Sequence, residues 1–284
     1  MNIGIIGLGL IGGSLGLDLR RLGHRVLGVS RRQQTCLVAK EMGAVDDASI
    51  DMTLMALAEV VFVCTPVEAI APTVVELAAL LSPNVIITDV GSVKMPVVDA
   101  VAHLWTNFVP GHPMAGTAEA GIAAAIPDLF VRRPYVLTPT ATTPPEAVAT
   151  VAQLAQSLQA DIYYCGPLMH DRAVAWISHL PVLVSASLLA AVTSEADLEV
   201  LALAKQLASS GFRDTSRVGG GNPELGLMMA KYNRPQLLAA LHAYRLQVDR
   251  AISLLETEDW KTLEQHLQQT QQARPQFLPP PPQN

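Results

Sequence analysis

Apolar residues open the chain as a short unbroken run at 2–6, recur at helical spacing over 14–22, and form a second short run at 24–29. The alternation continues with a run at 59–64, a helical stretch at 69–81 and a run at 84–89. Strands apolar on both faces that alternate with helices predict a parallel sheet covered on both sides. Shorter runs at 108–111, 135–138 and 161–165 predict later strands, and Pro139, Pro144 and Pro145 mark the turn into a helix at 146–158. After Gly166 the period changes. From His170 onward the spacing is helical, with an Ala/Leu-rich stretch to Ser209, a glycine-rich loop at 219–222 and two more helices to about 272. The expectation is an α/β domain with a mostly parallel sheet at 1–165, then an all-α domain at 166–274. The remainder, 275–284, holds four consecutive prolines and is expected to be disordered or polyproline-like.

Composition adds a second subunit to this picture. Of 284 residues, 50% are hydrophobic and 15% charged, and the mean hydropathy is +0.32. That is more apolar material than a monomer comfortably covers, so the helical half is expected to be a homodimer interface. The stretch 180–192 contains Pro181, Ser185 and Ser187, is too short for a bilayer and reads as a buried helix. A net charge of −6 argues against nucleic acid or an anionic membrane as partner. The apolar start lacks a basic leader and is studded with glycine, unlike a signal peptide. Cys36, Cys64 and Cys165 form neither a disulfide framework nor a CxxC pair, which fits a reducing cytoplasm. No metal-ligand cluster stands out.

The glycines at the start have a mechanical explanation. Gly7-Leu8-Gly9-Leu10-Ile11-Gly12 follows the first strand and opens the first helix. Gly7 suits a tight turn, Gly9 lets backbone approach a pyrophosphate, and Gly12 permits close helix–strand packing. The helix N-terminus offers free N–H groups to phosphates. In this context the motif predicts a Rossmann-type dinucleotide-binding domain. Ser30-Arg31-Arg32 ends the second strand, where an NAD-binding chain would carry an acid for the ribose 2′-hydroxyl. A hydroxyl and two guanidiniums suit a 2′-phosphate, hence NADP. The alternative is a solvated loop with two surface arginines, which the register disfavours. Thr65 and Pro66 end the fourth strand, either lining the nicotinamide or merely capping a turn.

Three later segments carry chemistry: Asp89-Val90-Gly91-Ser92-Val93-Lys94, Gly111-His112-Pro113-Met114-Ala115-Gly116, and Ser178-His179-Leu180-Pro181. With HDRAVAWISHLP at 170–181 and FRDTSRVGGGNPEL at 212–225, they resemble the prephenate/arogenate dehydrogenase family of tyrosine biosynthesis. Within it, the chain closely resembles the cyanobacterial arogenate dehydrogenases, with their NADP-type second strand. The resemblance implies an NADP-dependent oxidative decarboxylation of a cyclohexadiene bearing a 4-hydroxyl and a ring carboxylate, arogenate or prephenate. It implies that His112 is the base and Ser92 orients it. It also implies that His179, Arg217 and Asp214 bind substrate, with Asp214 or the 219–222 loop reaching a partner's cleft. Taken alone, a histidine before proline such as His112 is more often structural than catalytic, His179 competes with a buried core histidine and Arg217 with a surface arginine at a helix end, and Ser92 or Asp171 is explained as a helix cap. Gly226 stands where many bacterial relatives place Trp.

Rival readings are weaker. A β-hydroxyacid dehydrogenase would carry a Lys early in the helical half, and 166–200 has none. A pyrroline-carboxylate reductase gives no reason for the two histidine motifs. A non-catalytic NADP-binding module would produce no NADPH.

Overall fold

The computed structural model describes residues 1–117 and 119–277. Val, Ile and Phe dominate the central strands because both faces of each are covered. The strands are β1 (Asn2–Ile6), β2 (Arg25–Val29), β3 (Asp47–Ser49), β4 (Val60–Val63), β5 (Ile86–Asp89) and β6 (Phe108–Val109). They form one parallel sheet in the order β3-β2-β1-β4-β5-β6. On one face, Ile3, Ile5 and Phe62 pack on Leu15 and Leu19 of α1 (Leu10–Arg21). On the other, Ile6, Leu27 and Val61 pack with Ile70 and Val74 of α3 (Val67–Ala78), which follows α2 (Gln33–Glu41), and with Val97 and Val101 of α4 (Met95–Val101). Each such side chain contributes about 1.5–3 kcal/mol on burial. The order reverses between β1 and β4, and there the glycine turn opens toward the carboxyl ends of the strands.

The apolar run expected as one strand at 108–111 is divided. Pro110 has no N–H for a ladder, and the chain leaves the first sheet there. It enters a second sheet of β7 (Gly111–Pro113), β8 (Pro134–Leu137) and β9 (Asp161–Tyr164), with β7 antiparallel and β9 parallel to β8. Helix α5 (Pro145–Ser157) joins β8 to β9.

Beyond β9 the chain is helical: α6 (Pro167–Val174), a π turn at Ala175–His179, α7 (Leu180–Thr193), α8 (Leu198–Leu207), α9 (Ser210–Ser216), a 3₁₀ turn at Arg217–Gly220 and α10 (Pro223–Tyr232). Two further helices, α11 (Arg234–Glu256) and α12 (Trp260–Phe277), make three after the glycine loop where two were expected. By packing, residues 1–234 form one unit and 235–284 another. α12 runs through Pro275 to Phe277, three residues into the stretch expected to be irregular. The four prolines at 279–282 lie outside the described residues.

The expectation of a buried helix at 180–192 does not hold in the single chain: of α7 only Leu180 and Ser185 are buried. Nor is the span short. Residues 167–193 form a continuous 27-residue helical run, within which an 18-residue window has mean hydropathy 1.7 and is 28% buried, so by length and composition it is able to cross a bilayer. Its first half, however, carries His170, Asp171 and His179, all buried within the protein.

Candidate active site

Three glycines shape the first cleft. Gly7 takes φ +97°, and a Cβ there would lie 2.5 Å from the Cys64 carbonyl oxygen. A Cβ on Gly12 would lie 2.1 Å from the carbonyl oxygen of Gly7, so α1 sits directly on the turn. Around Gly9 nothing lies within 4 Å of an added Cβ. Two positions are closed by packing, and the third is open to a ligand. The cleft they border, about 490 Å³, is lined by Gly7, Gly9, Ser30, Arg31, Arg32, Thr65 and Pro66. Arg31 and Arg32 stand exposed at its edge, with Arg32 opening α2. The Thr65 hydroxyl is buried without a partner. An open glycine turn at a helix N-terminus, two free guanidiniums and an unpaired hydroxyl fit a phosphorylated dinucleotide.

The second cleft, about 560 Å³, shares Gly9, Cys64, Thr65 and Pro66 with the first, so a ligand can span both. Leu10, Ile11, Ser92 and His112 line it, facing Ser178, Asn222 and the α10 side chains Leu225, Met228 and Met229. The Ser92 hydroxyl is buried and unpartnered. It does not cap α4, whose N-cap is Lys94. Among the described residues lining this cleft none is Lys or Arg, and Glu119 is an acid.

His112 is held from behind. Its Nδ1 lies 2.8 Å from His170 Nε2, and His170 Nδ1 lies 2.8 Å from Asp171 Oδ1. The Asp171 oxygens accept the backbone N–H groups of Lys94, at 2.7 Å, and Met95, at 2.8 Å. Asp171 therefore sits inside α6 and caps α4, rather than starting its own helix. Gly111, beside His112, is fixed by a buried ion pair. Lys94 Nζ pairs with Asp89 and donates to the Gly111 carbonyl at 2.6 Å, while Asp89 accepts from the Gly111 N–H at 3.2 Å. Burial pushes the His112 pKa well below its usual 6.5, and the positive charge of Lys94 pushes the same way. His112 is thus a neutral imidazole with Nε2 left for the cleft.

His179 lies in the π turn, an irregularity frequent at functional positions. Its Nδ1 is 3.1 Å from Asn233 Nδ2, its Nε2 is buried and unpartnered, and burial lowers its pKa to about 4. It lines neither cleft. Arg217 and Asp214 are exposed and line neither cleft of this chain, whereas Asn222 of the glycine loop lines the second. Gly226 in α10 has ordinary room, with an added Cβ 3.6 Å from Val182 Cγ1.

The sequence reading assigned no role to Lys94, Asn233 or Glu119. Asp89 and Lys94 stood in a recognised motif, but nothing local to Asn233 marked it.

Known proteins give the same grouping. The family description "Prephenate dehydrogenase, nucleotide-binding domain" matches residues 15–164, and "Prephenate dehydrogenase, dimerization domain" matches 166–269. The crystal structure of Synechocystis arogenate dehydrogenase is 52% identical at TM-score 0.89, covering 98% of this chain and 100% of that one. Prephenate dehydrogenase of Bacillus subtilis is 33% identical over 91% of this chain and 71% of its own. Cyclohexadienyl dehydrogenase of Zymomonas mobilis is 31% identical over 96% of this chain and 94% of its own. Two adjoining clefts at the glycine turn, a neutral histidine lining the second, and these matches together place the chain in the prephenate dehydrogenase family of oxidoreductases.

Proposed function

We propose that the protein oxidatively decarboxylates arogenate to tyrosine with NADP. The observation that carries this reading is His112, neutral, with Nδ1 engaged and Nε2 left for a cleft continuous with the dinucleotide cleft. Bound nicotinamide supplies the acceptor for the hydride that leaves C4. His112 Nε2 takes the 4-hydroxyl proton as that hydride departs. The C–CO2 bond then gives its electron pair to the ring, which becomes aromatic, and the phenolate recovers the proton from His112. The unpaired Ser92 hydroxyl, on the wall shared with His112, is available to orient the reacting hydroxyl.

NADP is favoured over NAD by Ser30, Arg31 and Arg32 at the cleft and by no acid among these three. Arogenate is supported by the 52% match to an arogenate dehydrogenase and by Glu119, which suits a substrate bearing an ammonium. Prephenate is the second reading, favoured by the Bacillus subtilis relative. We further read 166–274 as a dimerisation and substrate domain of a cytoplasmic homodimer. In it, His179 would help shape the substrate site, and Arg217 with Asp214 would complete the cleft of the partner. Both substrates carry a ring carboxylate, and the absence of Lys and Arg from the described lining calls for a cation from outside it.

The test is steady-state kinetics with both substrates and both cofactors, followed at the nicotinamide absorbance. His112→Asn is expected to lower kcat by about 10²–10⁴-fold with little change in KM. A variant with near-normal kcat removes His112 from the reaction.

A further inference from the structure

The hydrogen bonds behind His112 determine more than its position. Asp171 accepts two backbone N–H groups, one on each oxygen, and so has only lone pairs to offer His170. His170 Nδ1, 2.8 Å away, must therefore be the donor. In its neutral form His170 carries one N–H, so its Nε2 is an acceptor. The His112 Nδ1 that faces it at 2.8 Å must then carry a proton, and His112 Nε2 is bare. Each assignment follows from the one before, starting at a carboxylate that is itself tied to the backbone.

We propose that His170 and Asp171 are a positioning pair that holds His112 in the Nδ1–H tautomer, with the bare Nε2 facing the substrate. The proposal rests on the reading of His112 as the base. Without the pair, neutral His112 is free to place its proton on either nitrogen, and the Nε2–H form has no lone pair for the substrate hydroxyl. When Nε2 takes that proton, the charge on His112 is met by His170 and, through it, by Asp171, with no further proton transfer required. Asn233 donates to the Asp171 carbonyl at 2.8 Å and lies within reach of His179, which holds this part of α6 in place. The other groups that face His112 are Lys94 and His179, and neither accepts from its Nδ1.

The pair is buried, with His170 and Asp171 each 2% exposed, so water does not substitute for either partner. The same carboxylate joins α6 to the loop that follows Ser92. One interaction thereby sets the register of both catalytic-cleft segments and the proton position on His112.

The test is ¹⁵N NMR of histidine-labelled wild-type enzyme, with the His112 resonances assigned by their loss in His112→Asn. The expected result is protonated Nδ1 and unprotonated Nε2 near neutral pH. The Nε2–H tautomer overturns the proposal. This readout does not depend on turnover, so it fails separately from the proposed reaction, which the kinetics of His112→Asn test. His170→Phe removes the acceptor while keeping an aromatic ring, and should lower kcat by about 10- to 100-fold, with KM values for substrate and NADP within about twofold. Wild-type kcat in His170→Phe also overturns it. If that variant does not fold, the wild-type tautomer decides.

Discussion

His112 and His179 are buried, and burial holds both pKa values below that of a free histidine, His179 at about 4. In the unfolded chain both return to about 6.5. Below that pH the unfolded state therefore binds protons that the folded state refuses, and stability falls as pH drops from about 6.5 toward 4. The urea midpoint should decline through this window, and His179→Gln should flatten part of the slope. An unchanged midpoint from pH 6.5 to 4 would contradict the burial argument. The acid limb of kcat/KM should likewise lie below about 6.5, because His112 stays neutral there. At the other end of the cleft, Arg31→Ala with Arg32→Ala should weaken NADP by about 10- to 100-fold, for charge-assisted bonds of ~1.5–3 kcal/mol, and leave NAD little changed. Equal losses for both cofactors would mean that the arginines do not read the 2′-phosphate. These arginines and His112 were legible in the sequence because each sits in a local motif with a fixed place on a strand end. The partners of His112 were not. His170 is 58 residues away and the Asp171–Lys94 contact spans 77, distances over which only the fold decides what meets.

Elements were legible where the apolar period was long and strong, as in β1, α1, β4 and α5. They were obscured where one residue broke a pattern, as Pro110 does between β6 and β7, or where a strand was short and polar, as β3 is. Close packing between elements left the faintest trace. The 3₁₀ turn at Arg217–Gly220 lies against α7 so tightly that a Cβ on Gly219 would stand 2.4 Å from the backbone of Ser185 and Ala186. The Gly219 N–H also donates to the Ser185 hydroxyl at 2.8 Å. Gly219→Ala should therefore cost about 1–3 kcal/mol, read as a lower urea midpoint. Gly226→Ala is the contrast. It lies inside α10 with only ordinary contact ahead of it, so the helix gains up to ~1 kcal/mol from losing a glycine. If both alanines behaved alike, the close approach of the turn to α7 would not be limiting.

At the scale of the molecule, the helical half exposes more apolar surface than one chain has use for. Leu198 is 75% exposed, Leu207 70% and Leu227 70%, and most of the 167–193 helical run is only half-buried or exposed. A bilayer is a poor cover for that run, because its first half is wired by Asp171 to the loop before α4. A second copy is the better cover, in keeping with the match to a dimerisation domain. Sedimentation at micromolar concentration should give a stable dimer, and a fully active monomer would refute this. Such a dimer would also bear on the missing cation. Arg217 is exposed and lines neither cleft of its own chain, while the second cleft has no Lys or Arg among its described lining residues. If Arg217 serves the partner, its loss is complemented in trans. Arg217→Ala alone should raise KM for either substrate, an effect of about 2–5 kcal/mol for truncating one side of a buried charge pair, with NADP affinity retained. Co-expression of Arg217→Ala with His112→Asn then gives heterodimers in which one site combines an intact His112 with an intact Arg217 from the other chain. Random mixing should restore about a quarter of wild-type activity. Activity no higher than that of the two variants assayed apart would place Arg217 with its own His112, and the carboxylate would have to be met within one subunit.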